Sequence, residues 1–212
     1  MDMKNNYVVI TGMISNACVY NYTAHEEDFY KTEITVTRTS GTADVLPVII
    51  SDKLFDPQEE LNGRRVKVTG EYRSYNLQEG ENRRLKLFIF AQECEFMEDG
   101  ITENNHICLN GYICKQPVYR RTPLGRDITD LFVAVNRPNG QSDYIPCIVW
   151  GRSARWAERL KIGTEVKVIG RVQSREYSKQ INEDEYEQRI AYEVSVNTIT
   201  KVKNREVQQN VR

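Results

Sequence analysis

The side chains able to do chemistry in this 212-residue chain are few for catalysis and many for holding something flat and charged. Its two histidines, His25 and His106, occupy non-equivalent places, and neither has a cysteine or carboxylate at metal-binding spacing. Five cysteines include no Cys-x-x-Cys pair, which reads as small buried or half-buried thiols in a reducing compartment. Glu183, Asp184, Glu185 and Glu187 crowd a polar stretch and read as solvated loop acids. There is no Gly-rich phosphate loop and no nucleophile elbow. An enzyme, a cofactor and a metal site are therefore not expected. What the sequence offers instead is rings among cations. Tyr144, Trp150 and Tyr177 are interleaved with Lys115, Arg120, Arg121, Arg126, Arg137, Arg152, Arg155, Arg171, Arg175 and Lys179. Guanidinium and ammonium groups meet phosphates, and arginine planes also stack on flat rings.

These groups are gathered on one side of the chain. Residues 1–104 hold 11 Lys and Arg against 18 Asp and Glu, a net of −7, while residues 105–212 hold 18 against 12, a net of +6. The balance over the whole chain, −1, hides this asymmetry. It points to a polyanionic partner for the second half. No apolar run approaches the roughly 18 residues of a membrane span. The stretch Met1–Asn6 lacks an apolar signal region, so a cytoplasmic location is expected.

The elements that must position these residues come as a repeat of about 99–100 residues. Asn6-Tyr7-Val8-Val9-Ile10-Thr11-Gly12-Met13-Ile14 answers Asn105-His106-Ile107-Cys108-Leu109-Asn110-Gly111-Tyr112-Ile113. Arg38 answers Arg137, Pro47 answers Pro146, and Lys67-Val68-Thr69-Gly70 answers Lys167-Val168-Ile169-Gly170. A period this long is a whole small domain. Apolar residues alternate with polar ones at the strand period of two. In the second copy this predicts strands at 107–114, 128–137, 144–150, 165–177 and 189–196. Gly111 is expected to sit at a bulge or bend, and 117–125 is expected to be a turn-rich loop. Arg152 to Leu160 predicts a helix stopped by Gly163, with Trp156 on its inner stripe, packed in a core or domain interface. The first copy gives strands at 7–14, 29–38, 45–51, 64–75 and 84–91, and Pro57 stands where its helix would be. The expected architecture is all-β. It consists of two tandem OB-folds, five-stranded Greek-key barrels, over 1–97 and 105–203, the second with a short helix between its third and fourth strands. A linker at 98–104 and a flexible tail at 204–212 complete it.

The second copy resembles the bacterial single-stranded DNA-binding protein family. The matching stretches are Arg121-Thr122-Pro123-Leu124-Gly125, Phe132 to Arg137, Asp143 to Gly151, Val166 to Tyr177, and Ala191-Tyr192-Glu193-Val194. They occur in order across about 95 residues. The resemblance implies sequence-independent binding of single-stranded DNA by base stacking and phosphate contacts, in replication, recombination or repair, on the nucleoid. It places Tyr144, Trp150 and Tyr177 at stacking positions. A further stacking position falls near Asn139, where there is no ring. Arg137 and Arg175 lie in the best-matched stretches and lead the expected phosphate contacts, joined by Arg171, Arg152, Arg121 and Lys115.

The first copy departs from this pattern. Val45, Ser51 and Leu77 answer Tyr144, Trp150 and Tyr177, although Tyr72 and Tyr75 stand near enough to stack. Its expected role is assembly, with weak DNA binding or none. Family members assemble four OB-folds, so a homodimer of this chain is implied. The family's acidic tail with a hydrophobic tip is not seen in Arg205 to Arg212, so recruitment of replication or recombination proteins by that route is not expected. Two other readings stand beside DNA coating. One is a scaffold similar to primosomal replication protein N; the other is binding of single-stranded RNA, because stacking alone does not read the 2′-hydroxyl.

Overall fold

The structure is a computed structural model that describes residues 5–80, 82–98, 100–180, 182 and 185–202. Glu183 and Asp184 of the acidic stretch, and the tail from 204 onward, lie outside these residues. The first copy supplies β1 (Asn6–Ile14), β2 (Val19–Ala24), β3 (Glu27–Thr37), β4 (Ala43–Ser51), β5 (Arg65–Glu79) and β6 (Asn82–Phe96). The second supplies β7 (Asn104–Ile113), β8 (Val118–Arg121), β9 (Asp127–Asn136), β10 (Ser142–Trp150), α1 (Arg152–Ala157), β11 (Glu165–Gln180) and β12 (Tyr186–Lys201).

The strand order within each copy follows the periodicity. Alternation buries Val8, Ile10, Ile34, Leu46, Val48, Val68 and Ile89 in one barrel, and Ile107, Leu109, Leu131, Val133, Ile145, Val168 and Val194 in the other. Each barrel closes where its first strand turns from one neighbour to another. β1 pairs with β5 and then β3, and β7 pairs with β11 and then β9. Gly111 sits at that corner, as its place mid-strand predicted. A Cβ there would lie 2.4 Å from the carbonyl oxygen of Ala134, and one at the matching Gly12 would lie 2.3 Å from that of Thr35.

Three elements differ from the sequence reading. The expected loop at 117–125 contains β8, which pairs with β9 from Val118↔Asp130 to Arg121↔Asp127. Its counterpart β2 hangs on β3 in the same way. Both are exposed edge strands, so no burial alternation marks them. The helix α1 stops at Ala157, and a turn in which Leu160 N–H donates to Ala157 O (3.0 Å) completes the segment. Ala154, Ala157 and Leu160 are buried, whereas Trp156 is 41% exposed, which corrects its expected packing role. With Ala154 and Ala157 fixing the inner stripe, Trp156 falls about 100° round the helix from Ala157. Between β4 and β5 no helix forms among the described residues; Phe55 and Leu61 fill that end of the core.

The two barrels form one twelve-stranded sheet, joined by antiparallel pairing of β1 with β7 from Asn6↔Leu109 to Thr11↔Asn104. A pseudo-twofold relation runs through this seam, with matching contacts inside each barrel beside it. Asn6 brackets the backbone of Tyr72, accepting from its N–H (2.9 Å) and donating to its carbonyl (2.8 Å). Asn105 does the same to Val172 at 2.9 and 2.7 Å. Farther out, the hairpin of each copy reaches across the other. Ser74 N–H donates to fully buried Asp143 (2.6 Å), and Tyr144 N–H donates to Ser74 Oγ (2.8 Å). In the mirror image, Ser174 N–H donates to fully buried Asp44 (2.8 Å), and Val45 N–H to Ser174 Oγ (3.0 Å).

Candidate nucleic-acid interface

Strand alternation sets which side chains face out. On β10 the inward set is Ile145, Cys147 and Val149, so Tyr144, Pro146, Ile148 and Trp150 share the opposite face. On β11 the inward set includes Val166, Val168 and Val172, which puts Arg171, Gln173, Arg175 and Tyr177 on the outer face. Trp150 is 36% exposed, and its indole N–H donates to Ser195 Oγ (3.1 Å). The ring's one polar group is thereby satisfied within the protein, and the exposed part of its π-surface can receive another ring.

Trp150 stands where two hollows meet. One, of about 560 Å³, is lined by Arg126, Trp150, Arg171, Gln173, Arg175 and Ser195, with Arg38 reaching in from the first copy. The other, of about 630 Å³, is lined by Arg121, Arg126, Trp150, Arg152 and Arg155. Arg126 and Trp150 belong to both, so the two make one groove. Trp150, Arg121, Arg152, Arg171 and Arg175 of the expected set are thus brought together. Arg126 and Arg152 make no ion pair with any described residue. Arg121 (3.2 Å) and Arg155 (2.9 Å) share Asp127. The Tyr119 hydroxyl and then these two arginines hold the Asp127 carboxyl below its usual range. Arg175 lies 3.4 Å from Glu193.

Arg171 is the most telling of these cations. Burial, and then the neighbouring Arg38 charge, pull its guanidinium below the ordinary arginine value. Its Nε is buried without a hydrogen-bond partner, and Nη2 reaches only Gln173 Oε1 at 3.3 Å. An anion at this point would supply the missing acceptor and add to the negative charge of Asp44, which Arg38 already shares.

The remaining expected residues lie elsewhere. Arg137 is taken up by the seam: its guanidinium pairs with Asp143 (Nε–Oδ2 2.8 Å) and donates to Ser74 O (3.1 Å). A phosphate would have to displace those bonds, so its place is structural. Arg38 does the same with Asp44 and, at 3.5 Å, Ser174 O. Lys115 lies over the Phe132 ring at 4.3 Å, away from the groove-lining residues. Tyr144 keeps 43% of its surface exposed above the Ser74 contact. Tyr177 lies beyond Arg175 on β11, with that guanidinium 5.8 Å from its ring centre, and lines a cleft between the two halves. Asn139 is held in a turn by Gln141. Tyr72 is fully buried in the first core, which removes it as a stacking ring. The contributions of Arg38 and Ser195 were missed, and nothing local in the sequence marks them, since both come to the groove by tertiary packing.

Residues 104–202 match the family model described as the single-strand binding protein family. Over these residues the chain is similar to that family. Two proteins named single-stranded DNA-binding protein illustrate the likeness. One from Oceanobacillus iheyensis is 36% identical over 83 residues, covering 36% of this chain and 52% of that protein. Another, from Listeria innocua and numbered 3, is 42% identical over 80 residues, covering 34% and 50%. The chain spans about half the length of the curated relatives it matches. In fold, the whole chain resembles the crystal structure of a single-stranded DNA-binding protein from Thermus aquaticus. The TM-score is 0.75 with 93% of each chain covered, at 19% identity. The first barrel therefore shares the fold of this tandem arrangement, while the family match covers the second barrel alone.

Proposed function

We propose that this chain binds single-stranded DNA without sequence preference through the groove centred on Trp150. The observation that carries this reading is the junction itself. A ring with its N–H already bonded stands between two arginine-lined hollows, one of which holds Arg171 with an unpartnered buried donor. Unstacked bases offer π-faces to Trp150, and the phosphates between them meet Arg126, Arg152 and Arg171. Tyr177 and Tyr144 extend the stacking surface, and Arg121 and Arg175 supply further cations. The relatives' names support the substrate class. Two chains would bring four barrels together, and the protein would act in the cytoplasm on strands exposed in replication, recombination or repair. The scaffold reading leaves the groove without a purpose.

The test is anisotropy of a labelled thymidine oligomer, with uridine oligomer as competitor. Trp150→Ala should weaken binding about tenfold, the loss of one base stack. Equal binding by wild type and by a Trp150→Ala, Arg171→Gln double variant would overturn the reading. Stronger competition by the uridine oligomer would make RNA the ligand.

A further inference from the structure

The first barrel has not lost its rings; it has moved them. Its outer face lacks a ring at Ser51, but the residue paired with Ser51 across the ladder is Phe29. Tyr22 stacks on Phe29 (centroids 4.9 Å apart, planes at 23°), and Phe29 meets Phe90 at 5.6 Å. The Arg73 guanidinium lies 3.8 Å above the other end of this row, at Phe90. Beside it Tyr75 meets Phe88 edge-on at 5.8 Å. Tyr22 is 38% exposed and Tyr75 48%, so each presents ring surface to solvent. In the second barrel the place of Tyr75 is held by Arg175 and that of Phe88 by Glu193. At these positions the first copy thus carries rings where the second carries polar or charged side chains.

The two faces are continuous. Arg175 lines the Trp150 groove, and its guanidinium approaches Tyr177. Tyr177 shares a cleft of about 390 Å³ with Lys31, Tyr75 and Phe88 of the first copy. The acids of this face are engaged: Glu71 pairs with Arg73 (2.9 Å) and accepts from Gln92 (2.9 Å), and Glu33 accepts from Asn16 (2.5 Å). Glu33 lines this cleft with a neutral amide on its carboxylate, so one acid charge stands beside Lys31 on the path.

We infer that a single strand leaving the Trp150 groove crosses the seam at Tyr177 and continues onto the first barrel, where Tyr75 and Tyr22 stack its bases. This inference rests on the function proposed above and adds a second stacking face with its own residues. It departs from the expectation that the first copy mainly supports assembly and binds DNA weakly or not at all. A single strand is the occupant because the face continues a cationic groove and its exposed rings stand among Arg73, Lys31 and Arg175.

The experiment uses the full chain and two thymidine oligomers, one of about 8 nucleotides to fill one barrel and one of about 30 to span both. The Tyr22→Ala, Tyr75→Ala variant should bind the short oligomer as wild type does and the long one about a hundredfold more weakly, the equivalent of two lost stacks. Tyr22→Phe, Tyr75→Phe should restore long-oligomer binding, which separates ring loss from misfolding. Bromodeoxyuridine crosslinking of the long oligomer should label Tyr75 or Phe88 as well as Trp150. Unchanged long-oligomer affinity with crosslinks confined to the second barrel would overturn the inference and leave the Trp150 groove standing. Trp150→Ala without effect on either oligomer would instead sink the reading on which it rests. If the alanine variant changed oligomeric state and not affinity, the face would belong to a second copy.

Discussion

At the scale of single residues, burial and hydrogen-bond saturation decide which of many rings and cations are available. Trp150 and Arg171 stand apart because one has its N–H bonded with ring surface exposed, and the other has a buried donor with nothing to meet. A counterion-release measurement separates the arginines. Each phosphate contact on a single strand contributes about 0.7 to the slope of log affinity against log salt. Arg171→Gln should lower that slope by about one such step, whereas Lys115→Gln, whose ammonium is committed to the Phe132 ring, should leave it unchanged. Equal slopes for wild type and Arg171→Gln would remove Arg171 from the interface. Thiol chemistry gives a second check at this scale. Burial pushes the Cys94 thiol up to about 11 and raises Cys147 further still. The thiolate is the reactive form, so alkylation of the folded protein at neutral pH should spare these two and label them only after denaturation. Much of the residue-level site was legible, because Trp150 and its flanking arginines lie in motif-like stretches. The place of Arg137 was not: its partner Ser74 lies 63 positions away in the other copy, and no local pattern announces that contact.

At the scale of elements, period-two alternation gave every long strand and the corner at Gly111. It missed β2 and β8, which are exposed edges without an inner face, and it cut the two long hairpins short. β5–β6 and β11–β12 run on as ladders past the barrel cores, where most of their residues are polar or aromatic and aliphatic ones such as Leu77 and Ile190 stand isolated and exposed. The hydrophobic signal therefore ends before the hairpins do. Those extensions carry the contacts between the halves. Asp143→Ala strands Arg137 beside an emptied acceptor and frees the Ser74 amide. Breaking a buried pair of this kind costs about 3–5 kcal/mol. Urea unfolding of Asp143→Ala should show a loss in that range, and Asp44→Ala a similar one through the mirror-image contact. A loss below about 1 kcal/mol would mean that the seam is held by the β1–β7 ladder alone.

At the scale of the whole molecule, one buried core runs through both barrels and the β1–β7 pairing makes them parts of a single sheet. Unfolding should accordingly be one transition. Both tryptophans belong to the second copy, so their fluorescence reports that barrel, while far-ultraviolet circular dichroism reports both. Coincident urea curves are expected, and separated midpoints would show the halves unfolding independently. Sedimentation should give a dimer of chains, four barrels in all; a stable monomer at working concentration would sink that assembly. The repeat was legible from the sequence, and so was the charge division between its copies. Apart from Tyr75 on β5, the first copy's rings were not, because they lie on β2, β3 and β6 and not at the positions that answer Tyr144, Trp150 and Tyr177. The central claim is that Trp150 receives a base in a cationic groove. Its most direct test is the intrinsic fluorescence of a Trp156→Phe protein, in which Trp150 alone reports, titrated with thymidine oligomer at rising salt. The account predicts quenching at sub-micromolar strand that weakens steeply as salt rises. Fluorescence unmoved by the oligomer at low salt would contradict it.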